Sequence, residues 1–345
     1  MTISANTDAR KTPAVTVVIP AYNSARYIGQ TLDSVHAQTF SDYEVIVVND
    51  GSRDRNELEQ VLRDHPLPVV YLSQENKGVS AARNAAIRIA KGEFYAQLDA
   101  DDQWTPDYLE VQLKILSDNP GVALVYPNAT IIDDESDIQL EFMNVSPSQG
   151  EVNFESLVRQ QCTVMTSVTA RMDAIRKAGM FDENLRTVED FDLWLRVVKS
   201  VGRIVYHRRP LVLYRRHQGS LSSDGVQMLR NLLTVFEKCA GTFDLTPAEK
   251  RTLNAEIVQN RAKLRLFEGK RALSTGGASA ALVHFTEANE HLRSPKLVLV
   301  IFLLRHLPRL VVWSFGARER FLTRQPDPVS GIDEPRVTHE SRTYL

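Results

Sequence analysis

The sequence predicts an α/β domain, built on a mostly parallel sheet with helices on both faces, followed by a helical C-terminal region. Two observations predict the sheet: short apolar runs alternate with amphipathic segments over about the first 127 residues, and polar residues follow directly on several of those runs. Strands that alternate with helices at this spacing are typical of a parallel sheet covered on both faces. A third observation, the helical apolar pattern from Gly225 onward, predicts the C-terminal region.

The apolar runs and the helix signals between them define the first half of the domain. Each run is short and ends at proline or at polar residues, as buried strands do. Ser24 can cap the first helix, and Pro106 lies near the first turn of the fourth. The predicted strands are residues 14–19, 44–48, 68–72, 93–98 and 122–126, and the predicted helices are residues 25–38, 53–64, 79–90 and 106–117.

The second half of the domain, residues 128–224, is less regular than the first half, residues 13–127. The acidic run 133–137 is predicted to be an exposed turn, with a metal-binding loop as the less favoured alternative. Beyond it, the pattern predicts strands at residues 163–169, 203–207 and 211–214 and helices at residues 170–177 and 190–200.

Bulk composition excludes several classes of protein. Of 345 residues, 43% are hydrophobic, which suffices for a sizeable core, and a net charge of −2 gives no field that would recruit nucleic acid. Cys162 and Cys239 lie outside any CxxC or metal-ligand spacing, so we expect buried thiols and a reducing, cytoplasmic location. Residues 1–12 are polar, lack the apolar run of a signal peptide, and are expected to be disordered.

The C-terminal region, residues 225–322, is predicted to contain a helical hairpin at residues 247–292. Four residues in this hairpin have the spacing of a single tetratricopeptide-like repeat, namely Gly269, Ala281, Phe285 and Ala288. One such unit cannot bury its own apolar face, so we favour an ordinary helix pair that packs on the preceding domain. Residues 323–345 are polar and aperiodic, and we expect a disordered tail.

The apolar segment 297–315 is a candidate for membrane contact. Arg305 and Arg309 interrupt it, and charge is costly in the middle of a spanning helix, which needs about 20 apolar residues. Flanking basic residues and Trp313 favour a helix on an anionic membrane surface over a soluble core helix or a spanning helix. We therefore expect peripheral contact through residues 293–320, at the inner face of the plasma membrane.

The strongest chemical signal follows the fourth predicted strand, where Asp99 and Asp101 are separated by one residue. Two carboxylates at this spacing can hold a divalent cation, and the cation can bridge the two phosphates of a nucleoside diphosphate. Most such patterns are solvated turns, but ligands of α/β sheets bind beyond the strand ends. The segment Asp99-Ala100-Asp101 is therefore the candidate site for the metal and the nucleotide.

Further polar residues follow the second and third strands. Asp50 can accept hydrogen bonds from a ribose hydroxyl or a base, and a helix cap in a tight turn is an alternative that can hold at the same time. Lys77 and Arg83 flank the start of the third helix, where an anion binds favourably. A surface salt bridge is an equally well supported interpretation of these two cations.

Two residues of the second half are candidates for chemistry. Asp190, at the start of a predicted helix, can act as a general base, although complementing the helix dipole is by itself the stronger interpretation. His217 could complete a metal shell or contact a diphosphate, and a solvated loop histidine is an even alternative.

Taken together, these motifs closely resemble those of the family 2 glycosyltransferases, which have the GT-A fold. The resemblance covers roughly residues 14–220, and its specificity lies in the combination and order of the motifs. These are Val18–Asn23, Val47–Ser52, Asn76–Gly78 with Ala82–Asn84, Leu98–Asp102, and Glu189–Asp190 with Trp194.

The resemblance implies transfer of one sugar from a nucleoside diphosphate sugar, UDP or dTDP in preference, to a hydroxyl of a saccharide or lipid-linked saccharide, with inversion. It implies that Mn²⁺ or Mg²⁺ binds Asp101, that Asp190 is the catalytic base, and that His217 lies near the diphosphate. Residues 13–127 would bind the donor, and residues 128–224 would bind the acceptor and carry the base. The implied donor contacts are Pro20, Ala21, Tyr22, Asp50 and Asp99.

The same resemblance bears on processivity, and the expected membrane contact bears on the biological role, because it would suit an acceptor carried on a lipid. Processive synthases of the family carry Gln-x-x-Arg-Trp and several membrane spans, whereas this sequence has Trp194-Leu-Arg196. We therefore expect single transfers, in bacterial surface polysaccharide or glycolipid assembly. Two alternatives remain at this point: a nucleotide-sugar or carbohydrate-binding module without turnover, and a sugar-1-phosphate nucleotidyltransferase, although the glycine-rich loop of the latter is absent after the first strand.

Overall fold

A computed structural model describes residues 12–133, 140–216 and 225–314. The chain forms two compact units, residues 1–223 and 224–345. The predicted acidic turn lies largely outside the described residues, as do the predicted C-terminal tail, His217 and nearly all of the predicted N-terminal segment.

The first unit is an α/β domain, as predicted. Its strands are β1 (Val15–Ala21), β2 (Tyr43–Asp50), β3 (Val70–Gln74), β4 (Phe94–Gln97), β5 (Gln103–Trp104), β6 (Val122–Asp133), β7 (Leu140–Glu141), β8 (Thr169–Arg171) and β9 (Arg203–Arg216). Its helices are α1 (Ala25–His36), α2 (Arg55–Asp64), α3 (Val79–Ile89), α4 (Tyr108–Asp118), α5 (Phe142–Val145), α6 (Phe154–Val158), α7 (Met172–Lys177) and α8 (Glu189–Ser200).

The described strands form one sheet in the order β3-β2-β1-β4-β8-β6-β9-β5, with β7 beside β6. β1 to β4 are mutually parallel, with Val17 opposite Val45 on one side and Ala96 on the other. β8 is antiparallel to both β4 and β6, and β9 runs parallel to β6. The carboxyl ends of β1, β2 and β4 therefore meet at one edge, and Tyr22, Asp50 and Asp99 lie at or just beyond these ends.

Burial along β1 explains why this half of the sequence reads as continuous apolar runs. Val17, Val18 and Ile19 are all fully buried, although successive side chains point to opposite faces of the sheet. Both faces are therefore covered, as is usual for parallel strands. On α3, Ala82 and Ala86 are also fully buried, and their small side chains allow close packing.

The second half of the domain differs from the prediction in its strands. Residues 203–216 form one strand, where two were predicted, because irregular register between β6 and β9 around Asn128 accommodates Pro210 within the pairing. The strand predicted at 163–169 is shorter and later, at Thr169–Arg171. Ala170 is paired there with Tyr95 of β4 and Leu124 of β6, so tertiary partners fix this strand.

The second unit is helical and contains the predicted hairpin. Its helices are α9 (Gly225–Thr242), α10 (Pro247–Ser274), α11 (Ala278–Leu292) and α12 (Pro295–His306). Thr246 caps α10 in a reciprocal capping box with Glu249. A Cβ added at Gly269 of α10 would lie 2.5 Å from Cδ1 of Phe285 on α11, so the helices cross closely here. No helix in the described part of the chain is long and apolar enough to span a membrane.

Candidate active site

The loops that follow β1 and β2 are joined by hydrogen bonds. The backbone N–H of Asn23 donates to Oγ of Ser52 at 3.1 Å, and the N–H of Arg53 donates to Oδ1 of Asn23 at 2.8 Å. Asn23 has a φ of 51°, in the left-handed region that asparagine tolerates. Beside this junction, Ala21 is buried and the side chain of Tyr22 is exposed, so an aromatic ring is available to a ligand.

Asp50, at the end of β2, organises the loop before α3. Its carboxylate accepts hydrogen bonds from the backbone N–H groups of Lys77 at 2.9 Å and Gly78 at 2.8 Å, and from Nε2 of Gln74 at 2.7 Å. The adjacent Gly51 has a φ of 73°, and a Cβ there would lie 2.6 Å from the backbone nitrogen of Asn76. The loop is therefore fixed by the Asp50–Gly51 pair, while the side chain of Lys77 is exposed.

Arg83, on α3, is 3% exposed and lies between two carboxylates. Its Nη2 donates to Oδ1 of Asp99 at 2.8 Å, and its Nη1 donates to Oε1 of Glu189 at 2.6 Å. Burial disfavours the guanidinium charge, but Asp99 and Glu189 outweigh it and raise the pKa of Arg83. The ion pair that the sequence left open is therefore present, although it is buried and not at the surface.

The loop after β4 is held from two sides. The hydroxyl of Thr31 on α1 lies 2.9 Å from the carbonyl oxygen of Ala100 and 2.8 Å from that of Asp102. From β9, Nε of Arg215 donates to the carbonyl oxygen of Asp101 at 3.1 Å. The backbone that carries Asp99 and Asp101 is thereby fixed before any ligand binds.

Asp102 is the buried member of this acidic loop. Its Oδ1 accepts a hydrogen bond from the backbone N–H of Arg215 at 2.9 Å, and its Oδ2 is buried without a hydrogen-bond partner among the described residues. Burial raises the pKa of Asp102 well above its usual value, and the negative charges of Asp101 and Asp99 raise it further. The sequence motif contains Asp102, but nothing in the pattern distinguishes its structural position from those of its neighbours.

The start of α8 carries the second acidic cluster. Val188, which precedes the helix, has a φ of 56°, a strained conformation for a β-branched residue. Burial raises the pKa of Glu189 to about 7, against the lowering effect of Arg83 and with the help of Asp190. Burial also raises the pKa of Asp190, while Arg83 opposes it and Asp99 adds to it. A carboxylate with a raised pKa is a stronger proton acceptor than an ordinary aspartate.

Trp194 and Arg196, farther along α8, serve the packing of this helix. Trp194 is 1% exposed, and Nη2 of Arg196 pairs with Oδ2 of Asp192 at 2.6 Å. Both residues are thus engaged in contacts within the protein.

The structure brings together several of the predicted residues and adds others. Asp50 contacts the backbone of Lys77, and Arg83 joins Asp99 to the segment that carries Asp190. The sequence suggested for Glu189 only that it complements the helix dipole, and no pattern pointed to Thr31. In the described ranges, no group of three or more His, Cys, Asp or Glu side chains could by itself hold a metal ion.

Known proteins resemble this chain in sequence and in fold. The family model for Glycosyl transferase family 2 matches residues 16–178. An uncharacterized glycosyltransferase of Rickettsia typhi is 32% identical over 222 residues, which cover 63% of this chain and 68% of that protein. The chain belongs to glycosyltransferase family 2. It is therefore an enzyme of this class, which decides against the binding-module and nucleotidyltransferase alternatives.

Other relatives of this family 2 glycosyltransferase include TuaG of Bacillus subtilis, whose name links it to teichuronic acid biosynthesis. It is 31% identical over 221 residues, which cover 61% of this chain and 82% of TuaG.

Two solved structures share the fold. Staphylococcus aureus TarS 1–349 in complex with UDP is 18% identical, with a TM-score of 0.57 over 89% of this chain and 91% of that one. Mannosyltransferase PcManGT from Pyrobaculum calidifontis, in complex with GDP-Man and Mn²⁺, is 20% identical, with a TM-score of 0.56 over 91% and 89% of the two chains. The predicted GT-A fold is confirmed.

Proposed function

We propose that this enzyme transfers a single sugar from a nucleoside diphosphate sugar to an acceptor hydroxyl, with inversion and with the help of Mn²⁺ or Mg²⁺. The observation that supports the proposal most is the contact of Arg83 with both Asp99 and Glu189. Asp99 belongs to the acidic loop after β4, and Glu189 precedes Asp190 in the chain. The acidic loop and the residue that precedes the proposed general base thus meet through one side chain.

The nucleotide would lie at the ends of β1 and β2. Tyr22 offers an exposed ring for stacking beside Pro20 and Ala21. The carboxylate of Asp50 accepts three hydrogen bonds from the protein. A carboxylate can accept about four, so most of its capacity is used within the protein. Bound UDP in TarS supports UDP or dTDP as the nucleotide. Because PcManGT binds GDP-Man, the identity of the nucleobase has to be determined by experiment.

The acidic loop fits a cation that arrives together with the diphosphate. Mg²⁺ and similar ions are commonly held by one or two protein carboxylates and by substrate phosphates, so a preformed cluster of three ligands is not required. Asp101 is the carboxylate that we propose for this role, with His217 as the second protein ligand. When bound, the ion would neutralise charge on the departing diphosphate. Thr31 and Arg215 hold the loop backbone in place for it.

The proton of the acceptor hydroxyl would pass to Asp190. The acceptor oxygen attacks the anomeric carbon from the face opposite the diphosphate, so one general base is sufficient and no covalent intermediate forms. The raised pKa of Asp190 suits this role, because proton transfer is most effective when the pKa of the base lies close to the working pH.

An assay with a panel of nucleoside diphosphate sugars tests the proposal. The protein is incubated with Mn²⁺ or Mg²⁺ and each donor, and thermal stabilisation and slow release of the nucleoside diphosphate are recorded. We expect one donor to stabilise the protein in a metal-dependent way, and turnover to fall at least 100-fold in both Asp101→Asn and Asp190→Asn. Full turnover in either variant would overturn the corresponding role.

We propose a surface polysaccharide or a glycolipid as the product, and a saccharide or lipid-linked saccharide as the acceptor. The relationship to TuaG, with its link to teichuronic acid biosynthesis, supports this assignment. Separate transfer of single sugars fits the sequence, in which the Gln-x-x-Arg-Trp motif does not occur. Mass spectrometry of the glycosylated acceptor counts the sugars added. Addition of more than one sugar per binding event would contradict the proposal.

We further propose that the second unit contacts an anionic membrane through α12 and the residues after it. One side of α12 packs inward through Leu297, Ile301 and Leu304. The other side exposes Val298, Leu299 and Phe302, each more than half exposed. Residues 293–314 contain four Lys or Arg residues and no acidic one. Exposed apolar side chains with positive charge and no negative charge match the surface of an anionic bilayer.

A further inference from the structure

One face of α3 holds the segment that leads to α8. Arg83 and Asn84 follow Ser80 by three and four residues, so both lie on its side of the helix, and all three are buried. The hydroxyl of Ser80 donates to the carbonyl oxygen of Leu185 at 3.0 Å. Asn84 pairs with the backbone of Phe181, donating to its carbonyl oxygen at 2.9 Å and accepting from its N–H at 3.0 Å. The route of the chain from residue 181 to residue 189 is therefore set by α3.

Arg83 extends this clamp to the acidic loop after β4. Its two terminal nitrogens bind Asp99 and Glu189, and its guanidinium carbon lies 5.3 Å from the centre of the Phe181 ring. The planar guanidinium fork spans two carboxylates in a way that an ammonium group cannot. Arg83 thus links the acidic loop after β4 directly to the start of α8.

The local charge argues against Arg83 as a receptor for the diphosphate. One buried cation lies between the carboxylates of Asp99 and Glu189, and Asp190 is the next residue along the chain. The group as a whole carries excess negative charge when these carboxylates are ionised. A phosphate would have to displace Glu189 or Asp99 to reach either terminal nitrogen. The third nitrogen, Nε, is itself buried, and Arg83 is only 3% exposed.

The start of α8 has a strained backbone that contacts with other elements must hold in place. Val188 adopts a φ of 56° immediately before Glu189, and such strained residues persist only when the surrounding structure imposes them. The contacts of Glu189 with Arg83, and of the preceding segment with Ser80 and Asn84, supply that constraint.

From these contacts we infer that Arg83 is a positioning residue, which fixes Asp190 relative to the acidic loop after β4 and does not bind the diphosphate. The inference rests on the proposed function of Asp190 as the base and deepens it. It replaces the anion-binding role that the sequence suggested for Arg83. Misplacement of a reacting group by about 1 Å can cost about 100-fold in rate.

Two substitutions separate positioning from donor binding. Arg83→Lys keeps the charge but loses the fork, and Arg83→Gln loses both. For each we expect kcat to fall about 100-fold or more, while the Kd for UDP or GDP with Mn²⁺, measured by calorimetry, stays within about threefold of wild type. Arg88→Lys, on the same helix with an exposed ion pair to Glu183, is the matched control and should keep both values.

A double variant distinguishes loss of positioning from loss of folding. Arg83→Gln leaves Glu189 buried without its cation, whereas Arg83→Gln with Glu189→Gln leaves two neutral amides that can bind each other. We expect the double variant to melt at a higher temperature than Arg83→Gln and to keep nucleotide affinity within about threefold, with kcat still low.

The outcomes are distinct. A loss of UDP and GDP affinity of about tenfold or more in Arg83→Gln, with kcat at saturating donor unchanged, would overturn the inference and make Arg83 a donor ligand. Full activity of Arg83→Lys would also overturn it. Failure of the wild-type protein to turn over any donor in the panel would overturn the proposed function first, and this inference with it.

Discussion

The backbone N–H of Arg215 donates a hydrogen bond of 2.9 Å to Oδ1 of Asp102, across 113 residues of sequence. Both residues are buried, so neither the donor nor the acceptor has water as an alternative partner. The bond joins the end of β9 to the acidic loop after β4. Since Arg215 also donates to the carbonyl oxygen of Asp101, the position of the proposed metal ligand depends on this junction.

Removal of this acceptor should destabilise the first unit. We expect Asp102→Ala to lower the free energy of unfolding by about 1–3 kcal/mol, because the N–H of Arg215 is left buried without a partner. Asp102→Asn keeps an acceptor oxygen and should lie closer to wild type. Urea denaturation measures both, and Asp118→Ala, which alters an exposed carboxylate, should stay within about 0.5 kcal/mol. Equal losses in the Asn and Ala variants would contradict the role of the hydrogen bond.

The pH dependence of turnover should report the environment of Asp190. Its pKa is raised by burial and by Asp99 and lowered by Arg83, with a net shift upward, and Glu189 titrates beside it at about pH 7. A base must be ionised, so kcat should be high at alkaline pH and fall as the pH drops through a value above the usual aspartate pKa of about 3.9.

Arg83→Gln removes the cation that favours ionised Asp190, so the acidic limb of kcat should move to higher pH. Arg88→Gln, which alters an exposed pair on the same helix, should leave the limb in place. Turnover at saturating donor, measured from about pH 4 to 9, tests both expectations. An acidic limb at the ordinary aspartate value would count against Asp190 as the base.

Metal binding should depend on the nucleotide. The described residues contain no group of three or more acidic, His or Cys side chains that could hold an ion alone. We therefore expect EDTA to abolish donor turnover while leaving the melting temperature of the nucleotide-free protein unchanged within about 1 °C. Asp101→Asn should raise the Mn²⁺ concentration that gives half-maximal turnover. A fall in the melting temperature on addition of EDTA without nucleotide would reveal a preformed site.

Close packing between α10 and α11 makes Gly269 intolerant of a side chain. We expect Gly269→Ala to destabilise the second unit by about 1–3 kcal/mol, because the new Cβ would overlap the ring of Phe285. Gly241 of α9 has open space around it, so Gly241→Ala should be neutral or slightly stabilising through helix propensity. Thermal and urea unfolding of the full-length protein distinguish the two, and equal effects would contradict the close crossing.

Membrane binding should require both the apolar and the basic residues near α12. We expect co-sedimentation with vesicles that contain phosphatidylglycerol, and little with pure phosphatidylcholine. Arg305→Gln with Arg309→Gln should weaken binding by about 1 kcal/mol per residue, and Phe302→Glu should weaken it at least as much. Val283→Glu, an exposed apolar position on α11, is the control. Binding that is insensitive to lipid charge and salt would contradict the proposal, and concentration-dependent dimerisation through the same residues would favour a second copy as the occupant.

The strands of the first half of the domain could be predicted from the sequence. Strands such as β1 and β2 are buried on both faces, so each appears as a continuous apolar run that a polar turn ends. The second half was harder: Thr169–Arg171 is a strand because it lies between β4 and β6, and Pro210 lies within β9 because the register of β6 is irregular opposite it. Such pairings join residues that are distant in the chain, and local patterns carry no information about them.

The site divides in the same way. By itself the sequence determined the fold class, the family resemblance and the acidic motifs, because each rests on residue types that a strand end or a turn requires locally. Only the tertiary structure decided that Arg83 is buried between Asp99 and Glu189, that Asp50 holds the loop at Lys77 and Gly78, and that Asp102 is enclosed beneath Arg215. The pairing and the desolvation of a charged side chain depend on groups brought together from distant parts of the chain, and these fix its pKa and its chemical role.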